Sequence, residues 1–300
     1  MTVPAQKVGV VGFEQDAQAA TRLAQALTCD FGMIERHTFP DGESLVRAPE
    51  CPETVVLYAA LDRPNAKIFD LCLAVDALRR RGVRRIVLVV PYLPYMRQDK
   101  AFHSGEAVSQ QVLGALLAGR IDGLVTVDPH LHRVNDLQEV FTGLKTAAVS
   151  AAPLVAQAVK TRLDSGRAVV IGPDEESTPL VRLLGEAAGC AWMAGTKRRS
   201  GDRQVELTLP DEPKLACRTA VIFDDVVSSG TTVCAVAQAA KDAGAAEILV
   251  YTTHALFSGE DEARMRDAGV ASFVSCDGVP HATNGIALAP VLAEAVQSCL

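Results

Sequence analysis

The sequence predicts an α/β fold made of two tandem, doubly wound parallel sheets. Short apolar runs alternate with amphipathic segments from residue 8 to the carboxyl terminus, a pattern typical of parallel strands joined by helices. The segments that begin at Ala77 and Ala239 also share the order helix, glycine, loop and strand. A chain of 300 residues is long enough for two such domains. We therefore expect one domain over residues 1–149 and a second over residues 150–288.

Strands are predicted where apolar, often β-branched residues run together between polar or turn-forming residues. In the first half they cover residues 8–11, 33–39, 55–59, 85–90, 124–127 and 146–149. Helices are predicted where apolar residues recur every three or four positions, over residues 16–27, 65–80 and 104–117. Ser104 is expected to cap the third helix, with Glu106 near its first turn.

The second half repeats the alternation. Strands are predicted over residues 168–171, 191–194, 205–209, 220–223, 248–251 and 272–274. Helices are predicted over residues 154–163, 179–188, 232–243, 260–268 and 290–299. In open sheets of this kind, ligands bind beyond the carboxyl ends of the strands. The polar motifs below follow such strand ends.

The composition excludes several classes of protein. A formal net charge of -7 and a pI near 5.4 argue against an extended nucleic-acid surface. The basic cluster at residues 79–85 ends a predicted helix, where cations favour the helix dipole, so a solvated helix end is expected there. No uncharged apolar run is long enough to span a bilayer, and the amino-terminal residues do not show a basic stretch followed by an apolar one, so no membrane partner and a cytoplasmic location are expected. The eight cysteines lack metal-ligand spacing and are expected to be reduced.

The stretch from Val221 to Thr232 carries the most distinctive chemistry. An apolar strand is followed by two adjacent carboxylates, and a small, hydroxyl-rich turn then opens a helix; these polar positions are Asp224, Asp225, Ser228, Ser229, Gly230, Thr231 and Thr232. Unpaired N–H groups and the positive end of the dipole favour a phosphate at such a turn. The carboxylates would repel a phosphate, so they suit sugar hydroxyls or a metal. The stretch indicates a site for a phosphorylated ribose, with an ordinary strand and capped helix as the alternative.

Polar motifs also follow predicted strands of the first half. Residues 39–43, Phe-Pro-Asp-Gly-Glu, place Asp41 and Glu43 around the turn-forming Gly42, which could also be a plain solvated turn. Residues 91–99 contain two prolines, two tyrosines and the pair Arg97-Gln98, whose donors suit phosphate or a nucleobase.

Three further motifs could bind a cation or phosphates. His130 follows a strand near a carboxylate and could bind a metal or transfer protons, although His132 competes for this role and a lone histidine is often structural. Asp174 follows a strand and begins a group of three carboxylates. Residues 196–203 contain four cations, which could form an arm over phosphates or only a charged hairpin tip.

Taken together, these motifs resemble those of the ribose-phosphate diphosphokinases, which make phosphoribosyl diphosphate. Residues 221–232 are also similar to the phosphoribosyl-diphosphate motif of type I phosphoribosyltransferases. The resemblance extends through residues 253–259 and the carboxyl-terminal segment 289–296, so it covers nearly the whole chain in order. It implies a phosphoribosyltransferase-type fold in tandem, with the last helix, residues 289–300, packed on the first domain.

The resemblance also implies roles for individual residues. ATP would be bound by Asp41, Gly42, Glu43, Arg97 and Gln98, with the loop 41–43 reaching the adenine across a subunit contact. Mg²⁺ would be bound by His130 and Asp174. The catalytic residues would be Lys197 and Arg199 of a flexible arm. Ribose 5-phosphate would be bound by Arg199, Asp224, Asp225 and residues 228–232. The expected protein is a Mg²⁺-dependent diphosphokinase that acts on ATP and ribose 5-phosphate as a homo-oligomer, at least a dimer.

The sequence departs from the family pattern at two places. Glu175-Glu176-Ser177 stands where the family usually has His-Gly-Gly, which adds negative charge and removes flexible backbone. In the turn 228–232 a threonine replaces one of the usual glycines while the small, hydroxylic character is kept. Two other functions remain open: a phosphoribosyltransferase that consumes phosphoribosyl diphosphate, and a non-catalytic homologue that regulates an active partner.

Overall fold

The chain forms two compact α/β units in a computed structural model. The structure describes residues 7–131, 136–200, 204–211 and 213–300, with only the main chain described at 197–200 and 204–206. One unit contains the residues up to Val149 together with Gly278–Pro280 and Ala287–Leu300, and the other contains Ser150–Asp277 and His281–Ile286. The predicted α/β class with two mostly parallel sheets is confirmed.

The first unit is built around a seven-stranded sheet in the order β3-β2-β1-β4-β5-β6-β7. Its strands are β1 (Val8–Phe13), β2 (Phe31–Thr38), β3 (Ser44–Arg47), β4 (Thr54–Tyr58), β5 (Arg85–Val89), β6 (Gly123–Val127) and β7 (Lys145–Val149). All neighbouring pairs are parallel except β2 and β3, which form an antiparallel hairpin at the edge.

Helices cover both faces of this sheet because successive strand residues point to opposite sides. They are α1 (Ala17–Ala26), α2 (Pro64–Arg80), α3 (Ser109–Leu117), α4 (Leu137–Val140) and the carboxyl-terminal α9 (Ala289–Cys299). Val55 and Leu57 share one core with apolar residues of α2, α3 and α4. Helix α9 contacts α1 and the strands β5, β6 and β7.

The second unit is built around a six-stranded, all-parallel sheet in the order β15-β14-β13-β12-β8-β9. Its strands are β8 (Ala168–Gly172), β9 (Ala191–Ala194), β12 (Thr219–Val227), β13 (Glu247–Ala255), β14 (Ser272–Cys276) and β15 (Asn284–Ile286), and β10 (Thr196–Ser200) pairs with β11 (Gln204–Thr208) in a separate antiparallel ribbon. Its helices are α5 (Ala152–Arg162), α6 (Thr178–Ala188), α7 (Thr231–Asp242) and α8 (Gly259–Asp267).

Each main sheet has a point where the strand order reverses. In the second unit, the chain leaves β8 toward β9 and later returns on the other side with β12, so the reversal lies between β8 and β12. In the first unit it lies between β1 and β4 for the same reason. Such a reversal opens a crevice at the carboxyl ends of the strands, which is where open α/β sheets bind ligands.

Two local predictions need correction. Helix α3 begins at Ser109 and its N-cap residue is Val108, so Ser104 does not cap it. Glu106 instead accepts hydrogen bonds from the backbone N–H groups of Phe102 and His103, at 2.8 and 3.1 Å, which closes the loop before the helix. Strand β12 extends four residues beyond the predicted end, to Val227.

None of the helices in the described part of the chain combines the length and apolar character needed to cross a membrane.

Candidate active site

The carboxylates of the second unit lie at its strand reversal. Asp224 and Asp225 are inside β12, where Asp224 pairs with Thr252 of β13. Asp174 follows the neighbouring strand β8, two residues after its end. Because β8 and β12 are parallel neighbours, their carboxyl ends bring the three acids to one edge of the sheet.

The acids form a region of concentrated negative charge. Burial raises the pKa of Asp224 well above its ordinary value, and the charges of Asp225 and Asp174 raise it further. The backbone N–H groups of Asp225 and Val226 donate to the carboxylates of Asp224 and Asp225, at 3.1 and 2.7 Å. A bound cation or a set of hydroxyl donors would relieve the remaining repulsion.

The donor set fits a magnesium–substrate complex. Among the described residues, no group of three or more His, Cys, Asp or Glu side chains is arranged as a metal centre. Magnesium usually keeps several waters and takes one or two carboxylates together with substrate phosphates. Carboxylate oxygens under mutual repulsion therefore suit this ion, with the substrate supplying further ligands.

The turn between β12 and α7 lies next to these acids in the chain. Gly230 is the N-cap residue of α7 and adopts a left-handed conformation with φ of 70°. The hydroxyl groups of Ser229 and Thr231 are 3.1 Å apart. The first N–H groups of a helix have no acceptor within it, and the dipole of the twelve-residue α7 is positive at this end. The turn, residues 228–232, hereafter the phosphate loop, can therefore bind an anion.

Helix α8 holds the phosphate loop from one side. Arg264 donates from Nη2 to the backbone oxygen of Ser229 at 2.9 Å, and Met265 is fully buried. A Cβ at Gly230 would lie 2.5 Å from the sulfur of Met265. The sequence motifs do not include either residue, because each contact joins positions about 35 residues apart and no local pattern encodes it.

Asp174 is part of a tight turn. Its side chain accepts from the N–H of Ser177 at 3.3 Å, and the Ser177 hydroxyl donates to the Asp174 backbone oxygen at 2.5 Å. Glu175–Ser177 forms a 3₁₀ turn with a capping box. The segment Glu175-Glu176-Ser177 is therefore an ordered, acidic turn.

The predicted ATP-binding residues lie on the first unit. Residues 39–43 form the exposed turn between β2 and β3, where Gly42 has φ of 92° and its N–H donates to the backbone oxygen of Phe39. Arg97 is exposed and Gln98, which follows it, accepts from the Ser109 hydroxyl at 2.5 Å. His130 follows β6, the neighbour of β5.

These residues follow strands at different positions in the sheet. The segment with Arg97 and the segment with His130 follow adjacent strands, whereas the turn 39–43 follows β2, which is separated from β5 by β1 and β4. Three strand spacings correspond to about 14 Å. The turn 39–43 therefore lies at a different part of the sheet edge from the segments that contain Arg97 and His130.

Two predicted groups of residues are only partly described. Lys197 and Arg199 lie on β10, where they pair with Leu207 and Val205 through the main chain, and their side chains lie outside the described part. His132, the alternative to His130, also lies outside the described residues.

Comparisons with known proteins give the family. Residues 8–119 match the model of the N-terminal domain of ribose phosphate pyrophosphokinase, and residues 144–289 match the phosphoribosyl transferase domain. A ribose-phosphate pyrophosphokinase from Methanopyrus kandleri is 31% identical over 96% of this chain and 98% of its own length. Ribose-phosphate pyrophosphokinase 2 from Archaeoglobus fulgidus is 34% identical over 92% and 95%.

The chain belongs to the ribose-phosphate pyrophosphokinase family. It is therefore a member of a family of enzymes, and the resemblance seen in its motifs is confirmed. The crystal structure of phosphoribosylpyrophosphate synthetase from Mycobacterium smegmatis superimposes with a TM-score of 0.81 and 20% identity, covering 97% of this chain and 98% of that one. That likeness shows the shared fold over both units of this member of the pyrophosphokinase family.

Proposed function

We propose that the protein is a Mg²⁺-dependent ribose-phosphate diphosphokinase that converts ATP and ribose 5-phosphate to phosphoribosyl diphosphate and AMP. The observation that carries the proposal is the juxtaposition in β12 and α7. Asp224 and Asp225 lie at the strand reversal of the second unit, directly before a loop suited to a phosphate. A sugar with hydroxyls at one end and a phosphate at the other is complementary to this arrangement.

Ribose 5-phosphate would bind with its phosphate on the loop formed by Ser228, Ser229, Gly230, Thr231 and Thr232. Asp224 and Asp225 would accept hydrogen bonds from its 2- and 3-hydroxyl groups. The raised pKa of Asp224 supports this role, because hydroxyl donors stabilise a carboxylate that is otherwise poorly compensated.

ATP would be bound by the first unit, through Arg97 and Gln98 of one chain and the turn 41–43 of another. The homo-oligomer is proposed from the family resemblance, and the place of the turn after β2, three strand spacings from β5, is compatible with its supply by a second copy. His130 and Asp174 are the proposed magnesium ligands, and bound Mg²⁺ would neutralise charge on the phosphate oxygens.

The reaction is an in-line displacement. The anomeric hydroxyl of ribose 5-phosphate attacks the β-phosphorus of ATP and releases its proton to solvent, while the bond from that phosphorus to the oxygen of AMP breaks. No covalent enzyme intermediate is needed, so the protein contributes position and charge. Lys197 and Arg199 are proposed to stabilise the negative charge that grows on the transferred oxygens.

The direct test measures AMP released from ATP, ribose 5-phosphate and Mg²⁺ with no nucleobase present. We expect AMP and phosphoribosyl diphosphate in equal amounts. A phosphoribosyltransferase would release no AMP under these conditions. Absence of AMP together with binding of ribose 5-phosphate would identify a non-catalytic homologue, which the acidic turn 175–177 would then explain.

The assignment of Lys197 is tested by Lys197→Ala. Removal of one donor that stabilises the transition state commonly costs about 3 kcal/mol, or roughly a hundredfold in kcat. We expect that loss with ribose 5-phosphate affinity unchanged in calorimetry. Lys160→Ala is the matched control, because Lys160 is an exposed residue of α5, and this variant should retain full turnover. Near-normal turnover of the Lys197 variant would reject the role of this lysine.

A further inference from the structure

Helix α8 is connected to the phosphate loop by a series of polar contacts. The Ser258 hydroxyl and the Asp261 carboxylate form a capping box at the amino terminus of α8. Hydrogen bonds from Ser258 lower the pKa of Asp261, so this carboxylate is ionised at neutral pH. Asp261 pairs with Arg264, which lies one turn later on the same helix, and this pairing orients the guanidinium group.

Arg264 uses the oriented guanidinium to bind the phosphate loop itself. Its Nη2 atom donates to the backbone oxygen of Ser229 at 2.9 Å. The same nitrogen is shared with Asp261, so the carboxylate and the loop carbonyl are bridged by one donor group. Helices α7 and α8 also pack against each other, which limits the movement of α8 relative to the loop.

The contact from Arg264 to the Ser229 oxygen also fixes the direction of the Gly230 N–H, because both groups belong to the same peptide. A trans peptide is planar, and its C=O and N–H bonds point to opposite sides. Because Arg264 holds the oxygen of Ser229, the N–H of Gly230 must point away from α8. Gly230 also has a left-handed φ and lies close to Met265. Only glycine fits at this position without displacing its neighbours.

We propose that Arg264 is a positioning residue for the sugar-phosphate substrate, which aims the Gly230 N–H into the phosphate loop by holding the carbonyl of Ser229. This inference rests on the proposed function, and Arg264 lies outside the sequence motif 221–232 on which that function is based. A simple surface ion pair between Arg264 and Asp261 would contribute little to stability and nothing to substrate affinity. The two interpretations therefore predict different behaviour toward ribose 5-phosphate.

The test compares three variants with the wild-type chain. Arg264→Met keeps the aliphatic stem and removes the donor, Arg264→Lys keeps one donor for the carbonyl, and Arg266→Met removes a charge from the same helix. Arg266 is a matched control because it binds Glu262 and the backbone oxygen of Ala271 instead of the loop. Ribose 5-phosphate affinity is measured by calorimetry, and KM and kcat by AMP release.

We expect the affinity of Arg264→Met for ribose 5-phosphate to fall about tenfold, with KM for this substrate raised equally. KM for ATP and kcat should change less than twofold, because an interaction made equally in the ground and transition states affects KM alone. Arg264→Lys should recover most of the affinity, and Arg266→Met should match the wild type. Thermal unfolding verifies that each variant is folded.

Three results would overturn the proposal. They are unchanged affinity in Arg264→Met, equal losses in Arg264→Met and Arg266→Met, and a folded Arg264→Lys protein that binds as weakly as the methionine variant. If Arg264→Met does not fold, the lysine variant against the Arg266 control decides the question. A wild-type chain that binds ribose 5-phosphate but releases no AMP would reject the proposed reaction alone, whereas one that binds no ribose 5-phosphate would reject both.

Discussion

Asp16 is a buried carboxyl group at the strand reversal of the first unit. It follows β1 and occupies the N-cap position of α1, yet its side chain makes no capping hydrogen bond. Its Oδ2 atom accepts from the N–H of Ala60 at 3.3 Å, while Oδ1 is buried with no partner among the described residues. Burial raises the pKa of Asp16 to about 7. The sequence indicated only a helix start here, because burial of a single side chain has no local pattern.

This raised pKa makes the stability of the fold depend on pH. Between about pH 4 and pH 7 the native state binds a proton that the unfolded state has lost, so the free energy of unfolding decreases as pH rises. The decrease is complete above the folded pKa and amounts to at most about 4 kcal/mol. We expect Asp16→Asn to match the wild type near pH 4 and to be more stable at pH 8 by up to that amount.

Urea unfolding at both pH values measures this difference. Asp76→Asn is the control, because it removes an exposed carboxylate paired with Arg80 and keeps Asp16, so its free energy of unfolding should change with pH as that of the wild type does. If the free energies of unfolding of the wild type and Asp16→Asn changed with pH in parallel, Asp16 would be ionised in the folded protein at pH 6, which would contradict the prediction.

The arginines of residues 79–85 show what composition can predict about single residues. The expected solvated helix end is found, and each arginine has a partner, namely Asp122 for Arg79, Asp76 for Arg80, Glu50 for Arg81, Glu53 for Arg84 and the backbone oxygen of Cys299 for Arg85. The pattern predicted the environment of the cluster but not the partners, because most of these are distant in sequence.

At the level of elements, the hydrophobic pattern predicted most strands and helices to within a few residues. It missed β3, β10, β15 and the short α4. Residues 196–200 contain too much charge to indicate a strand, but main-chain pairing with β11 forms one. In the same way, Asp224 and Asp225 indicated a strand end, whereas pairing with β13 continues through them to Val227. Tertiary pairing outweighed local propensity in both cases.

The phosphate loop gives a prediction at this level. Gly230→Ala would place a Cβ 2.5 Å from the Met265 sulfur on a backbone with φ of 70°, so we expect a loss of about 1–3 kcal/mol in the free energy of unfolding. We also expect weaker binding of ribose 5-phosphate in calorimetry, since the loop must shift away from α8.

Gly244→Ala separates backbone strain from the site. Gly244 has φ of 80°, but a Cβ there meets only ordinary contacts with Ala216, at the opposite end of α7. This variant should lose about 1–2 kcal/mol of stability and keep its affinity for ribose 5-phosphate. Equal affinity in the two variants would contradict the importance of Gly230 for the loop.

At the level of the molecule, the sequence predicted the fold, the family and the order of the motifs. The roles of residues 41–43, 97, 98, 130, 174, 197, 199, 224, 225 and 228–232 stay predictions. A motif identifies residue types at a strand end, but a role depends on distances to substrate atoms and to other subunits. The sequence could not supply the contacts of Arg264 and Met265, which exist only after α7 and α8 have packed.

The last helix, α9, allows a test of whether the two units open independently. Helix α9 is the final segment of the sequence, but it contacts α1 and the strands β5, β6 and β7 of the first unit. Leu292 is buried in α9, as Leu184 is buried in α6 of the second unit. Replacement of either leucine by alanine leaves a cavity and should cost about 2–5 kcal/mol.

The two substitutions should loosen different units, because local opening follows the contacts that each side chain makes. Hydrogen exchange measured by mass spectrometry should show faster exchange in β5, β6 and β7 for Leu292→Ala, with β8 and β12, the strands that α6 contacts, unchanged. Leu184→Ala should give the reverse pattern. Each variant thus serves as the control for the other, since both remove the same atoms from a buried helix face. If both variants accelerated exchange equally in all five strands, the units would open as one cooperative body, and α9 would not stabilise the first unit separately.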